Sequence, residues 1–354
     1  MIRGSATHIC VLNRNIGDNA LNAAIRSMLR RRFRIRHLEL LGERFDAGTL
    51  RALNRSGVVL FGGGGLIHSY GPRGNAWERT GTMWNITLDD LEALQAPVVL
   101  YGVGYNHFYG DPPPHPRMKN FFEVLTAKGS LIGLRNDGSK LRLLQQFPWL
   151  ESSLVEIPDP GVFFRAKRYR QTRPYIVLQI AADRPKLRYG NDLEGFSQLV
   201  TTLCNRVDFD VFLVPHTIDD ERLYPTLPLS IRRLNRVPLE KRASHVRSAM
   251  KLYTGAAFTI STRGHSQICS IGHGVPTFSL STHPKVLAFA ESTNMADWCV
   301  DMRSATHDDV VERFDDFIRW LPALRARLPF VNHKFREQIE RFNRRVVEKS
   351  ERLS

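Results

Sequence analysis

The residues with the most chemical potential lie in one short run: Ser261-Thr262-Arg263-Gly264-His265-Ser266-Gln267. It follows the apolar stretch Ala-Phe-Thr-Ile-Ser, read as a strand, and opens a predicted helix over 264–273. Arginine binds carboxylate or phosphate through a two-pronged fork. Histidine donates or accepts a proton near neutral pH. A helix start adds outward N–H groups and a favourable field for an anion. Together they read as an anion-binding and proton-transfer site. The next strand, Val-Pro-Thr-Phe-Ser-Leu-Ser, is followed by Thr282-His283-Pro284-Lys285, which adds a second His and a Lys to the same rim. Ser261 belongs to the same loop, and His216 ends another strand, Asp-Val-Phe-Leu-Val-Pro-His.

Four further sites follow strands. Asn13-Arg14-Asn15-Ile16-Gly17-Asp18-Asn19 joins the first strand to the first helix, with Gly17 at a tight turn and Asp18 or Asn19 as helix cap. Gly62-Gly63-Gly64-Gly65 follows Val-Val-Leu-Phe and reads as a close backbone approach to a ligand or a neighbouring domain. It spells neither a Walker loop nor a dinucleotide fingerprint. Arg135-Asn136-Asp137-Gly138-Ser139 puts an arginine at the end of a buried strand, suited to a carboxylate or phosphate; Asp137 as a cap with Arg135 as its salt-bridge partner is the structural alternative. Pro158-Asp159-Pro160-Gly161 is a stiff turn in which Asp159 can bond its own backbone. Asp208-Phe209-Asp210 has the spelling of a metal-binding D-x-D but precedes its strand, at the wrong edge for a site.

The elements that must carry these residues alternate. From about 7 to 157, short apolar runs alternate with amphipathic stretches, and the pattern restarts after the charged connection 165–174. Continuous apolar strands between helices indicate parallel sheets covered on both faces. The expected architecture is α/β: two Rossmann-like domains facing across a cleft, residues 1–165 and 166–330, with 307–327 and 332–349 as separate closing helices. The segment 331–354 is expected to pack back on the first domain. In such sheets ligands lie outside the carboxyl ends of the strands.

Composition narrows the classes. The chain has 354 residues, 42% hydrophobic and 24% charged, with Lys+Arg 50 against Asp+Glu 35 for a net charge of +15. This excludes a disordered or collagen-like chain, and no apolar run reaches the length of a membrane-spanning helix. Cys10, Cys204, Cys269 and Cys299 form no C-x-x-C pair and read as reduced core thiols. A cytoplasmic protein that meets anions is expected, with no metal. The positive clusters are Arg30, Arg31, Arg32, Arg34 and Arg36; Arg165 to Arg173; and Arg336 to Lys349. No helix-turn-helix, zinc or RNP signature supports nucleic acid. The basic, amphipathic last helix leaves peripheral contact with an anionic membrane open.

Taken in order, these loops resemble the polysaccharide pyruvyltransferase family: N-x-G-D (Asn15 to Asp18), the glycine run, Arg135 with Ser139, Asp159-Pro160, S-x-R-x-H (Ser261, Arg263, His265) and P-x-x-x-L-x-x-H-x-K (Pro276, Leu280, His283, Lys285). Many members carry R-L-H where this chain has Arg263-Gly264-His265. The resemblance implies a GT-B-like fold and pyruvate transfer from phosphoenolpyruvate to a sugar diol of a cell-surface glycan or its lipid-linked precursor, forming a ketal without a cofactor. It implies that Arg263 and Arg135 hold the donor's anions, His265 moves protons, and Asp18 or Asp159 serves as acceptor-side base. It gives Asn15, Gly63, Gly64, Ser139, Ser261, His283 and Lys285 binding roles, His283 and Lys285 at phosphate; His216, from its place at a strand end, is expected to face the same cleft. The acceptor falls to the first domain and phosphoenolpyruvate to the second. Two other classes compete: a GT-B glycosyltransferase using a nucleotide sugar, and a non-catalytic protein that binds nucleic acid or anionic membrane by charge.

Overall fold

The computed structural model describes residues 4–11, 15–39, 45–68, 79–239 and 245–351. Asn13 and Arg14 of the first candidate loop lie outside them; the sequence over 238–252 also reads as a helix, and its 240–244 part lies outside them too.

The chain forms two compact units. One comprises residues 1–12, 21–160 and 335–354, and the other 13–20 and 161–334. The division along the main body of the chain falls at Pro160–Gly161, ahead of the charged connection at 165–174.

The first unit contains a parallel sheet of β1 (Gly4–Ile9), β2 (Phe33–Leu38), β3 (Val58–His68), β4 (Val98–Asn106), β5 (Leu131–Arg135) and β6 (Leu154–Ile157), in the order β2-β1-β3-β4-β5-β6. Its helices are α1 (Ile16–Leu29), whose first turn is counted with the other unit, α2 (Ala47–Asn54), α3 (Leu88–Ala93), α4 (Arg117–Ala127) and α5 (Ser139–Gln146). One face of the sheet buries Phe61, Leu100, Ile132 and Leu134 against Trp84, Phe121 and Phe122. Burial of such side chains is the main favourable term in folding, roughly 25 cal/mol per Å².

The second unit has β7 (Tyr175–Gln179), β8 (Asp210–Leu213), β9 (Leu234–Arg236), β10 (Thr259–Ser261), β11 (Thr277–Ser281) and β12 (Cys299–Asp301), all parallel, in the order β12-β11-β10-β7-β8-β9. This is the strand order of a dinucleotide-binding sheet, and the order reverses between β7 and β10. Its helices are α6 (Pro185–Tyr189), α7 (Leu193–Asn205), α8 (Ile218–Leu223), α9 (His245–Met250), α10 (Gly264–Gly272) and α11 (Pro284–Ser292). The core is aliphatic and aromatic: Ile176, Leu178, Phe258, Phe278, Phe314 and Phe317.

Strand β3 carries the glycine run within it and extends beyond it. Pairing with β4 continues through Gly62 and Gly64 to His68, so the four glycines are strand residues. They are small because their neighbours are close. A Cβ on Gly63 would lie 1.8 Å from Leu21 of α1, and the Gly63 N–H donates to Asn22 Oδ1 at 3.0 Å.

The closing helices also differ from expectation. One helix, α12, runs from His307 to Glu351 with Pro322 and Pro329 inside it. Each proline removes one hydrogen bond and crowds the preceding turn, which is why the sequence reads as two helices. Buried apolar residues recur before, between and after them: Val310, Phe314 and Phe317, then Leu324 and Leu328, then Phe335, Ile339, Phe342 and Val346. The end of α12 belongs to the first unit, where Tyr101 donates to Asn343 Oδ1 at 2.6 Å and Phe342 leaves no space for a Cβ on Gly133. Its apolar face is therefore buried in protein, while Arg336, Arg341, Arg344 and Arg345 face solvent. Among the described residues, no helix is long and apolar enough to cross a membrane.

Candidate functional site

In the first unit the carboxyl ends of β4 to β6 hold a buried charge network. Arg135 leaves β5 and lies flat against β4, because a Cβ on Gly104 would sit 2.1 Å from its Nη2. Its guanidinium pairs with Asp137 (2.7 Å) and Asp159 (3.2 Å). Ser139 Oγ donates to Asp137 and accepts from the Tyr105 N–H, and the Asp159 N–H donates to Asn136 Oδ1. Arg135, Asp159 and Ser139 are thus brought together as expected, but two carboxylates already neutralise the arginine. Asp159 is fully buried, its carboxylate tied to Arg135 and its N–H to Asn136. Here the structural alternative, Asp137 as salt-bridge partner of Arg135, describes the contacts.

The second unit places its polar residues at the sheet's reversal point. After β10, Ser261 Oγ accepts from the Arg263 N–H and donates to the Arg263 carbonyl, fixing the turn into α10. Arg263 is the helix N-cap; its side chain does not cap α10, while its carbonyl accepts from the Ser266 and Gln267 N–H groups. Its side chain turns toward β7 and β8: Nη2 pairs with Asp183 at 2.8 Å and with Asp220 at 2.7 Å. Asp220 is fully buried and also accepts from the N–H groups of Ala182, His216 and Thr217 and from Gln179 Nε2. One carboxylate thereby ties the ends of β7, β8 and β10 together. Arg188 of α6 pairs with Asp183 at 2.7 Å and donates to Thr282 Oγ1 at 2.9 Å.

Burial alone would push the Asp183 carboxyl up, but the charges of Arg263, Arg188 and Lys285 outweigh it and hold Asp183 well below the usual carboxylate range. Burial likewise works against the charge on Arg263, and Asp220 and Asp183 reverse that, raising it above the usual guanidinium value. The cluster holds three cations and two carboxylates.

His265 lies in the first turn of α10 with its side chain 9% exposed, and its Nδ1 is 3.7 Å from Asp18 Oδ1. Asp18 sits in the first turn of α1, which belongs to the same unit. The cap of α1 is neither Asp18 nor Asn19: Asn15 Oδ1 accepts from the Gly17 N–H at 2.9 Å, which leaves the Asp18 carboxylate to the imidazole. The Ile16 N–H donates to the His216 carbonyl, anchoring this turn on the end of β8. Gly17 makes the approach possible, since a Cβ there would lie 2.3 Å from His265 Cβ.

Two expected ligand-facing residues are structural. The His216 ring is fully buried against the Tyr253 hydroxyl at 2.8 Å, not turned to open space. His283 is fully buried and caps α11, its Nδ1 accepting from the Lys285 N–H, so its ring does not project toward a phosphate. Lys285 itself reaches the start of α10, its Cε and Cγ 4.0 Å from where a Gly264 Cβ would be. That spacing is ordinary contact, so the missing Leu of R-L-H leaves a gap filled by the lysine stem.

Asp183, Arg188 and Asp220 went unread in the sequence. The rule that ligand groups follow strands points to Asp183, four residues past the end of β7. Asp220 also serves a local role: Thr217 and Asp220 form a capping box. Beside the cluster, Arg188 also borders a cavity of about 520 Å³, lined further by Lys186, Tyr189, Phe196, Arg303 and His307. Among the described residues, no His, Cys, Asp or Glu group is arranged for a metal ion.

Solved structures share the fold. A UDP-GlcNAc 2-epimerase from Neisseria meningitidis bound to UDP-GlcNAc aligns with a TM-score of 0.56 at 12% identity, covering 96% of this chain and 99% of that one. A UDP-GlcNAc 2-epimerase from Methanocaldococcus jannaschii aligns at 0.51 and 11%, covering 88% and 92%. An alpha-glucosyltransferase in complex with UDP aligns at 0.50 and 8%, covering 96% of each. The fold is therefore GT-B-like. The sequence matches no curated protein at a significant level. The family model for polysaccharide pyruvyl transferase matches residues 15–284, from the N-cap of α1 through the Pro284 that opens α11, and by that match the chain belongs to the polysaccharide pyruvyl transferase family.

Proposed function

We propose that this protein transfers pyruvate from phosphoenolpyruvate to two hydroxyls of a sugar in a cell-surface polysaccharide or its lipid-linked precursor, releasing phosphate and forming a cyclic ketal. The observation that carries the reading is the His265–Asp18 pair, on the same helix start as the Arg263 cluster. In the proposed reaction His265 protonates the donor's methylene carbon, giving a carboxylate-bearing oxocarbenium centre. A sugar hydroxyl adds to that centre and its proton returns to the imidazole. Phosphate then departs, and the second hydroxyl closes the ketal, its proton leaving with phosphate or water. Asp18 orients the imidazole and supports its charged form. The first N–H groups of α10, with Arg263 and Lys285, face the donor's negative groups. The chemistry as written calls on no other cofactor.

The test is phosphate release from phosphoenolpyruvate in the presence of diol-bearing glycans, with the ketal identified by mass spectrometry. His265→Ala is expected to lose about 10²–10⁴-fold in turnover. Arg263→Lys keeps the charge but loses the fork, and is expected to raise KM. A fully active His265→Ala overturns the acid–base assignment. The second reading, sugar transfer from a nucleotide sugar, is favoured by the UDP-bound neighbours. Thermal stabilisation by UDP-GlcNAc but not by phosphoenolpyruvate would install it instead.

A further inference from the structure

The two carboxylates around Arg263 are held differently. Asp220 is fully buried, and backbone N–H groups from two strand ends fix it in place. Asp183 is 37% exposed as a side chain, and its carboxylate is held by cations: Oδ1 by Arg263, Oδ2 by Arg188. The charge of Lys285, whose stem lies against the first residue of α10, also acts on it. The Arg188 and Arg263 side chains are 1% and 9% exposed. A carboxylate on a partly open loop, bridging two buried guanidiniums beside a lysine, occupies the position a ligand's oxyanion would take. The next residue, Arg184, has φ 56° and ψ 55°, a left-handed conformation uncommon for a side-chain-bearing residue. Such outliers mark segments whose conformation the surroundings impose and which change when those surroundings change.

Resting on the proposed function, we propose that Asp183 is an internal competitor for the anion site: it fills the space between Arg188, Arg263 and Lys285 in the ligand-free protein, and the carboxylate or phosphate of the incoming donor displaces it. Arg188 then becomes a ligand-binding residue, and the Asp183–Pro185 turn is the segment that moves. Asp220 stays in place and keeps Arg263 oriented, so the site gains a net positive charge as Asp183 leaves. The arrangement favours a ligand with two or more negative charges, because such a ligand replaces one carboxylate and still meets uncompensated cation.

Calorimetric titration of the full-length protein tests this, with wild type, Asp183→Asn and Asp183→Ser compared by thermal melting to establish that each is folded. The probes are inorganic phosphate and, separately, phosphoenolpyruvate. Asp183→Asn is expected to bind inorganic phosphate about tenfold more tightly than wild type, with Asp183→Ser moving in the same direction. If both folded variants bind phosphate no better than wild type, or more weakly, Asp183 merely aligns the arginines and the proposal fails. Phosphate carries no pyruvyl group, so this comparison stands apart from the donor assignment. Failure of phosphoenolpyruvate to bind any of the three proteins, with phosphate tighter in the variants, sinks the donor and leaves the competitor.

Discussion

At the scale of single residues, glycine sets the geometry of the proposed proton-transfer pair, His265 and Asp18. Gly17 lets the first turn of α1 approach α10 so closely that any side chain would collide with His265. Overpacking of this kind costs about 1–3 kcal/mol, and a reacting group displaced by roughly 1 Å loses about 10²-fold in rate. Gly17→Ala is expected to remain folded by circular dichroism while its turnover falls by about 10²-fold. Retention of wild-type turnover would show that His265 need not sit against Asp18. The sequence made the pair legible only in part. Asp18 and His265 each stood out as residues following a strand, but nothing in the order of residues says that positions 18 and 265 meet. Arg263 was read as a free anion clamp. Its two counter-ions, Asp220 in α8 and Asp183 after β7, lie 43 and 80 residues away, and no local pattern links them.

At the scale of elements, the alternation of apolar runs and amphipathic stretches gave most strands and helices. The short edge strands β6, β9 and β12 escaped because three or four residues carry too little periodicity. Strand β1 holds a less visible feature. His8 is fully buried at its centre, with Nε2 donating to the Gly62 carbonyl at 3.0 Å. Burial, reinforced by the Arg26 charge, lowers its pKa to about 3 from the ordinary 6.5. Between those two values the unfolded chain binds a proton at this position that the native protein does not. Stability therefore falls as pH drops from 6.5 toward 3, by about 1.4 kcal/mol per pH unit for this group. Urea unfolding across that range is expected to show the slope, and His8→Gln, which keeps an N–H donor but does not titrate, is expected to flatten it. An unchanged slope in the variant would assign the acid sensitivity elsewhere. Asp183 adds to the loss lower down: its folded pKa is depressed, so its contribution is complete above the ordinary carboxylate value and fades as pH falls below it.

At the scale of the whole molecule, the charge balance bears on how the proposed anionic donor would arrive. The chain carries a net +15, and exposed arginines on β2 and α12 account for part of it. Most of these lie on solvated faces, where pairwise attractions are weak. Their summed field still acts on a diffusing polyanion, and it does so before binding. The arginines nearest the candidate chemistry behave differently, because Arg135, Arg188 and Arg263 are buried and paired. Salt screens the exposed charges over a Debye length of about 10 Å at 0.1 M and affects buried pairs far less. The two populations therefore separate in a salt series. Raising ionic strength from about 0.03 M to about 0.3 M is expected to lower kcat/KM for phosphoenolpyruvate several-fold while kcat changes little, since steering is lost but the buried cluster is preserved. Replacing Arg34, Arg36, Arg341 and Arg344 by Gln is expected to reproduce part of that loss at low salt and to blunt its further dependence on salt. A parallel fall in kcat would mean that salt reaches the buried arginines and that the cluster opens to solvent during turnover.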